Sequence, residues 1–401
     1  MAEILSGTGL RRAFCVFLAF LAAMLAGAAP LFAQERWAGA WGYATTPRIP
    51  GVDPLQPPGT YFHRVKLTQR GNAIMLTLSN TEGLAPATVT VVGIAAAVGT
   101  TGFEFNPTTL RQFFFNGQPN ITLPIGVSVL TDPLPYSTDV GQEFIISVTF
   151  TTPTLPPWNP IGLPVAFAPS VGNGIGPIKT MQVRPYLAQI SVREPAARCT
   201  VVAFGDSITD GYLGFSPTVR GWPGRLAERM ALLPPERRCG VVNMGIQGNR
   251  LLSRGNGILG LDRFWRDVAS VPGATHVVLL EGINDIGWAG TSAPDLINGY
   301  RQFITRARSL GLRVIAGTMT PAGGSSLIGG DKDMTRNQVN EFIRFSGAFD
   351  GVIDFDVAVR NPYATTWLRP DSDSGDHLHP NDNGYRLMGD EVNLNLFAPM
   401  P

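Results

Sequence analysis

The chain has 401 residues, of which 44% are apolar and only 15% charged, and its formal charge is +1. Near-neutrality excludes an electrostatic grip on nucleic acid or on an anionic membrane as the main activity. At roughly 150 residues per domain the length allows two or three domains, with apolar side chains enough for a large core.

The first feature along the chain is a leader. Arg11 and Arg12 precede an uncharged run, Ala13–Ala33, rich in Leu, Ala and Phe and closed by small residues before Gln34. This is the pattern of a secretory signal peptide over residues 1–33, cut near Ala28 or Ala33. Left uncleaved, such a run is long enough to anchor in a bilayer, and it would be the chain's only membrane contact. The mature protein is therefore expected to be secreted or periplasmic.

Residues 37–195 read as an all-β region. Short runs with β-branched or aromatic residues recur between Gly, Pro and Asn signals: Tyr61–Thr68, Ala73–Leu78, Thr88–Val92, Gln112–Phe115, Glu143–Phe150 and Arg184–Val192. Their spacing is that of a β-sandwich, here taken as jelly-roll-like, although apolar/polar alternation within the runs is imperfect. Thr152–Pro177 is rich in Pro and Gly and reads as a long ordered loop.

From residue 199 to 398 the rhythm becomes strand, loop, helix. Strands are expected at Thr200–Phe204, Val241–Met244, His276–Leu280, Arg313–Gly317 and Val352–Phe355. Helices are expected at Trp222–Leu233, Leu261–Ala269, Ala293–Leu310, Lys332–Ser346 and Asn381–Val392. Such alternation implies a parallel sheet covered on both faces, a three-layer α/β/α arrangement. Beyond the leader the cysteines are Cys199 and Cys239, each just before one of the first two strands. If those strands are parallel neighbours the thiols meet at one end of the sheet, and an exported chain would join them in a disulfide.

In parallel sheets ligands sit beyond the carboxyl ends of the strands. The first strand here leads into Gly205-Asp206-Ser207, the second into Gly245-Ile246-Gln247-Gly248, the third into Gly282-Ile283-Asn284-Asp285, and the last is followed by Asp376-His377-Leu378-His379-Pro380. A serine hydroxyl needs a base within hydrogen-bond reach to act as a nucleophile. Of the four histidines, His63 lies in the β-rich half and His276 opens a strand at the opposite end of the sheet, leaving His377 and His379. Asp376 stands three residues before His379, whereas Ser374 holds that place before His377. A turn can therefore present a carboxylate to the His379 imidazole and fix its tautomer.

These segments resemble, in order and position, the four blocks of the GDSL, or SGNH, hydrolase family of secreted esterases and lipases, over residues 199–398. The resemblance implies a flavodoxin-like SGNH hydrolase domain behind the all-β one. It also implies a carboxylic ester hydrolase with Ser207 as nucleophile, His379 as base and Asp376 as its orienting carboxylate. The oxyanion donors would be the backbone N–H groups of Ser207 and Gly248 and the side-chain amide of Asn284, with Gly245 the rival of Gly248. Asp206 and Asp285 would hold loops. No cofactor is implied, and the Asp371, Asp373 and Asp376 run does not have the spacing of an EF-hand loop.

The motifs leave the substrate open between small-molecule or polysaccharide esters and acyl lipids. A different class is a secreted carbohydrate-binding protein with a vestigial hydrolase half. Trp222, Trp288 and Trp367 are candidates for a pocket wall or simply for core packing.

Overall fold

The computed structural model describes residues 36–47, 55–157, 164–169, 179–181, 185–197, 199–214 and 220–398. The leader-like run Ala13–Ala33 lies outside them. Among the described residues no helix is long and apolar enough to cross a membrane.

Among the described residues twelve strands make the β-rich half: β1 Trp37–Gly42, β2 Gly59–Lys66, β3 Gly71–Ser79, β4 Ala87–Ala96, β5 Arg111–Gln112, β6 Ile121–Leu123, β7 Ser128–Leu130, β8 Leu134–Thr138, β9 Glu143–Phe150, β10 Val165–Ala168, β11 Lys179–Met181 and β12 Leu187–Arg193. One antiparallel sheet runs β1-β12-β3-β7, with β8 also on β3, and the other runs β11-β10-β2-β9-β4-β5, with β6 also on β4. The facing sides share a core of Tyr61, Val65, Phe144, Ile146, Val148 and Phe150 against Ile74, Leu76, Leu78, Ile190 and Val192.

The imperfect alternation now has a cause. On β9 every residue after Glu143 is buried, because Phe144, Ile146, Val148 and Phe150 enter that core while Ile145, beside Phe62 of β2, is covered on the outer face by Phe103 and Phe105. A covered outer face admits an apolar residue such as Ile145, which interrupts the period of two, while the buried Ser147 and Thr149 keep it further along. The segment expected to be one long loop, Thr152–Pro177, contains β10, whose residues Val165–Ala168 pair antiparallel with β2 from His63 to Thr60. That pairing is a tertiary event, and four residues between Pro- and Gly-rich flanks carry too short a pattern to announce it.

The second half holds β13 Cys199–Gly205, β14 Cys239–Gly245, β15 Ala274–Leu280, β16 Arg313–Gly317 and β17 Gly351–Ile353, all parallel, in the order β14-β13-β15-β16-β17. Helices Gly260–Phe264 and Ala293–Ser309 cover one face with Phe264, Leu296 and Phe303, while Gly221–Ala231 and Asp382–Glu391 cover the other with Trp222, Leu226 and Met388. The expected last strand is shorter than its apolar run. Asp354 caps a short helix, Phe355–Val359, by accepting the Val357 N–H, and this turns Phe355 into the core. A hairpin follows, β18 Arg360–Asn361 with β19 Ala364–Leu368. β13 and β14 run in register from Cys199↔Cys239 to Gly205↔Gly245, and a disulfide joins the two cysteines with their Cα atoms 4.7 Å apart.

Residues from Arg36 onward form one compact unit. β1 lies against β14 so closely that a Cβ on Gly240 would fall 2.1 Å from the Gly39 carbonyl oxygen, and one on Gly42 would fall 2.6 Å from Met244 Cε. Gly39 N–H donates to Pro272 O at 2.8 Å, and the Thr68 hydroxyl accepts the Val241 N–H at 2.9 Å.

Candidate active site

The order of the parallel sheet reverses at β13, whose neighbours are β14 and β15. Its carboxyl end is where a crevice opens. β13 ends at Gly205, where a Cβ would meet Leu280 O at 2.1 Å and Thr209 Oγ1 at 2.2 Å, so only glycine lets the chain turn there. Asp206 caps the following helical turn, Ser207–Asp210, its carboxylate accepting the Ile208 N–H at 2.9 Å. The Ser207 hydroxyl emerges beside the turn, 2.8 Å from His379 Nε2.

His379 comes from the other end of the α/β half, on the loop before the helix Asp382–Glu391. Its Nδ1 lies 2.6 Å from Asp376 Oδ2, while Asp376 Oδ1 accepts the backbone N–H groups of His379 at 2.8 Å and Leu378 at 3.0 Å. Partial burial pushes the Asp376 carboxyl up, but the imidazole and the two backbone donors outweigh it and hold it well below the usual carboxylate range. Tyr212 stands edge-on to the His379 ring, centroids 4.7 Å apart, and its carbonyl accepts the Tyr385 hydroxyl at 2.7 Å. The imidazole is thus fixed at both nitrogens and on one face.

Gly248 and Asn284 line, with Ser207 and His379, a cavity of about 470 Å³. Gly245, the rival glycine, is used otherwise. Its N–H donates to Asn243 Oδ1 at 3.0 Å, and a Cβ there would lie 2.2 Å from Asp210 N, so it serves close packing of β14 on the serine turn. Gly248 has φ +66°, a left-handed conformation that glycine adopts at no steric cost. Asn284 opens the short helix Ile283–Ala289, and its Nδ2 donates at 3.4 Å to Asp206 Oδ2. Asp285 accepts the Leu251 and Leu252 N–H groups at 2.7 and 2.9 Å, strapping the Gly248 loop to the third strand's exit.

Sequence reasoning missed the residue that ties these exits together. Arg263, fully buried, donates to Gly205 O at 2.8 Å, Met244 O at 2.7 Å and Asn249 Oδ1 at 2.8 Å, and pairs with Asp267 at 3.0 Å and Glu281 at 3.4 Å. An arginine in an apolar helix face was the available signal. Around it, burial pushes Asp206 up to about 7 and Asp285 up to about 6, in each case against hydrogen bonds and charges that lower them. Burial also raises Glu281 well above the carboxylate range, with the Asp206 charge adding to the shift.

His377 also differs from the sequence reading, in which it had no carboxylate to pair with. Its Nδ1 lies 2.6 Å from Asp373 Oδ2, four residues earlier rather than three, because the chain passes through a left-handed turn at Gly375, φ +102°. Of the three tryptophans, Trp222 is core against Phe355, Trp288 is 67% exposed on the cavity rim, and Trp367 stands edge-on to the His377 ring at 5.4 Å. His63 and His276 are buried away from Ser207. Among the described residues no group of three or more His, Cys, Asp or Glu side chains is arranged to hold a metal ion.

The geometry is that of an acyl-transfer site: a hydroxyl, a base held by a carboxylate, and amide donors around one cavity. Comparison with known proteins finds one family model, the GDSL-like Lipase/Acylhydrolase family, matching residues 203–387. Among solved structures, a GDSL-like lipase from Bacteroides thetaiotaomicron is 19% identical, covering 50% of this chain and 88% of that one with TM-score 0.39. An M. smegmatis aryl esterase is 15% identical (48% and 94% covered, TM-score 0.39). A carbohydrate acetylesterase family member from Sinorhizobium meliloti is 16% identical (50% and 100% covered, TM-score 0.39). No curated protein matches.

Proposed function

Residues 203–387 form a GDSL-like lipase/acylhydrolase domain, and from that premise we propose that the protein is an exported serine esterase in which Ser207, His379 and Asp376 act as a relay. The observation that carries the reading is the chain Ser207 Oγ–His379 Nε2 at 2.8 Å and His379 Nδ1–Asp376 Oδ2 at 2.6 Å, opening onto one cavity.

Ser207 Oγ attacks the ester carbonyl carbon as His379 Nε2 takes its proton, and Asp376 stabilises the resulting imidazolium. The carbonyl oxygen becomes an oxyanion, received by the N–H groups of Ser207 and Gly248 and by Asn284 Nδ2. Fixed donors of this kind do not have to reorganise as charge develops, which is the source of their effect. His379 then protonates the leaving alkoxide, giving an acyl-Ser207 intermediate. Water attacks that acyl group, His379 takes its proton, and Ser207 leaves with the proton returned. No step calls for a cofactor.

Gln247, Arg250, Asn256, Ser325 and Ser326 line the cavity beside Trp288, Leu327 and Leu378. So polar a wall suits a short acyl group on a hydroxylated alcohol, such as an acetylated carbohydrate, better than a long acyl chain. The rim apolar side chains Trp288 and Leu378 favour the second reading, an acyl-lipid hydrolase using the same relay. Export is supported by the Arg11-Arg12 and Ala13–Ala33 pattern and by the disulfide, since such bonds persist in oxidising compartments.

Hydrolysis of p-nitrophenyl esters from acetate to palmitate, beside acetate release from an acetylated polysaccharide, tests the reading. Activity that falls with chain length and appears on the polysaccharide supports the carbohydrate ester; a maximum at long chains supports the lipid one. Ser207→Ala should lower every activity by several orders of magnitude, and an organophosphonate should label Ser207 alone. A near wild-type Ser207→Ala variant would end the serine-esterase reading and leave the binding-protein alternative.

A further inference from the structure

Asp376 is the least buried member of the proposed relay, its side chain 39% exposed, so packing alone does not hold it against His379. The loop carrying it contains a second carboxylate–imidazole pair built on the same plan. Asp373 Oδ1 accepts the N–H groups of Gly375 at 2.8 Å and His377 at 3.1 Å, and its Oδ2 faces His377 Nδ1 at 2.6 Å. Asp376 does the same for Leu378 and His379. The two turns overlap, so the place of the second is set by closure of the first.

His377 itself is left-handed, φ +61°, a conformation that a non-glycine residue holds only when its surroundings favour it. Its ring rests on Trp367 of the β18–β19 hairpin. Between the two passes Gly324, where a Cβ would fall 2.4 Å from the Trp367 ring and 2.9 Å from His377 Cβ. Gly323 N–H donates to Thr366 O at 2.7 Å, and the next residues, Ser325 and Ser326, are cavity wall. The relay loop, the hairpin and the cavity wall therefore meet at one side chain.

We propose that His377, held by Asp373 and Trp367, is a positioning residue that sets the Asp376–His379 turn and the facing cavity wall for the reaction. It touches neither the substrate carbonyl nor Ser207; it acts through the loop. The inference rests on the serine-esterase reading, and its test carries Ser207→Ala alongside so that the two can fail separately.

His377→Ala frees the first turn. A displacement of about 1 Å in a reacting group can cost about 100-fold, so kcat on p-nitrophenyl acetate should fall about 10- to 100-fold with KM changed less than about twofold. His377→Asn should restore most of it, because asparagine tolerates the left-handed conformation and its amide N–H can reach Asp373. His377→Gly should not, since it relieves the backbone and leaves Asp373 without its partner. Wild-type kcat in His377→Ala overturns the proposal, as does an Asn variant no better than the Ala one. If His377→Ala does not fold, Asp373→Asn decides the matter, its kcat falling or staying with the same two meanings. An active Ser207→Ala variant would instead refute the esterase reading itself.

Discussion

Removing the disulfide should separate stability from catalysis. Cys199 and Cys239 sit at the amino ends of adjacent parallel strands and close a loop with a sequence separation of 40. In the chain-entropy model such a closure removes about 13 cal/mol/K from the unfolded ensemble, about 4 kcal/mol at 25 °C. Both cysteines are buried, so alanine, which adds no polar group to the interior, is the better replacement. Ser207 lies beyond the opposite end of β13, and a seven-residue strand puts about 23 Å between the two places. Cys199→Ala with Cys239→Ala should therefore lose about 4 kcal/mol in urea unfolding. Its kcat on p-nitrophenyl acetate at 25 °C should match the wild type, since Arg263 and the serine-turn contacts are untouched. Thiol titration of denatured protein lacking residues 1–33 should find no free thiol before reductant is added. A loss below about 1 kcal/mol would refute the claim that this bond restrains the unfolded chain. A parallel fall in kcat would refute the separation of the two ends of the sheet.

Asn284→Ala removes one proposed oxyanion donor and should cut kcat about 100- to 1,000-fold with little change in KM; equal losses in binding and turnover would count against the role. Asp206 is raised to about 7 when folded, so the folded protein keeps a proton that the unfolded chain releases at lower pH, and stability falls as pH rises through that window. Asp206→Asn, which keeps an acceptor for Ile208, should therefore gain in Tm relative to the wild type between about pH 4 and pH 7, and a gain that does not vary with pH would disprove the shift. A chain starting at residue 199 loses the cover that β1 and Thr68 give to β14, so it should be poorly soluble and unfold readily; a soluble truncation with full activity would show that the α/β half stands alone.

What the sequence determined by itself was the strand–helix alternation and the local spacing of the candidate residues. Strand–helix rhythm after residue 199 specifies a parallel sheet, and a parallel sheet sends every strand exit to one rim, so a serine, a glycine and an asparagine are expected together there; the choice of Gly248 over Gly245 came from the family resemblance. The Asp376-x-x-His379 spacing belongs to a single turn, which is local and hence legible. The tertiary structure decided whatever depends on contacts between distant segments. Arg263 finds its partners on three strand exits that only folding brings together. Val165–Ala168 becomes a strand because β2 lies beside it. Ile145 interrupts the alternation of β9 because Phe103 and Phe105 cover its outer face, a burial that periodicity cannot express. His377 met Asp373 because a left-handed turn at Gly375 moved the pairing from three residues to four. Residue order carries local geometry and the exits of regular elements; the side chains that cross between elements are chosen by how the layers pack.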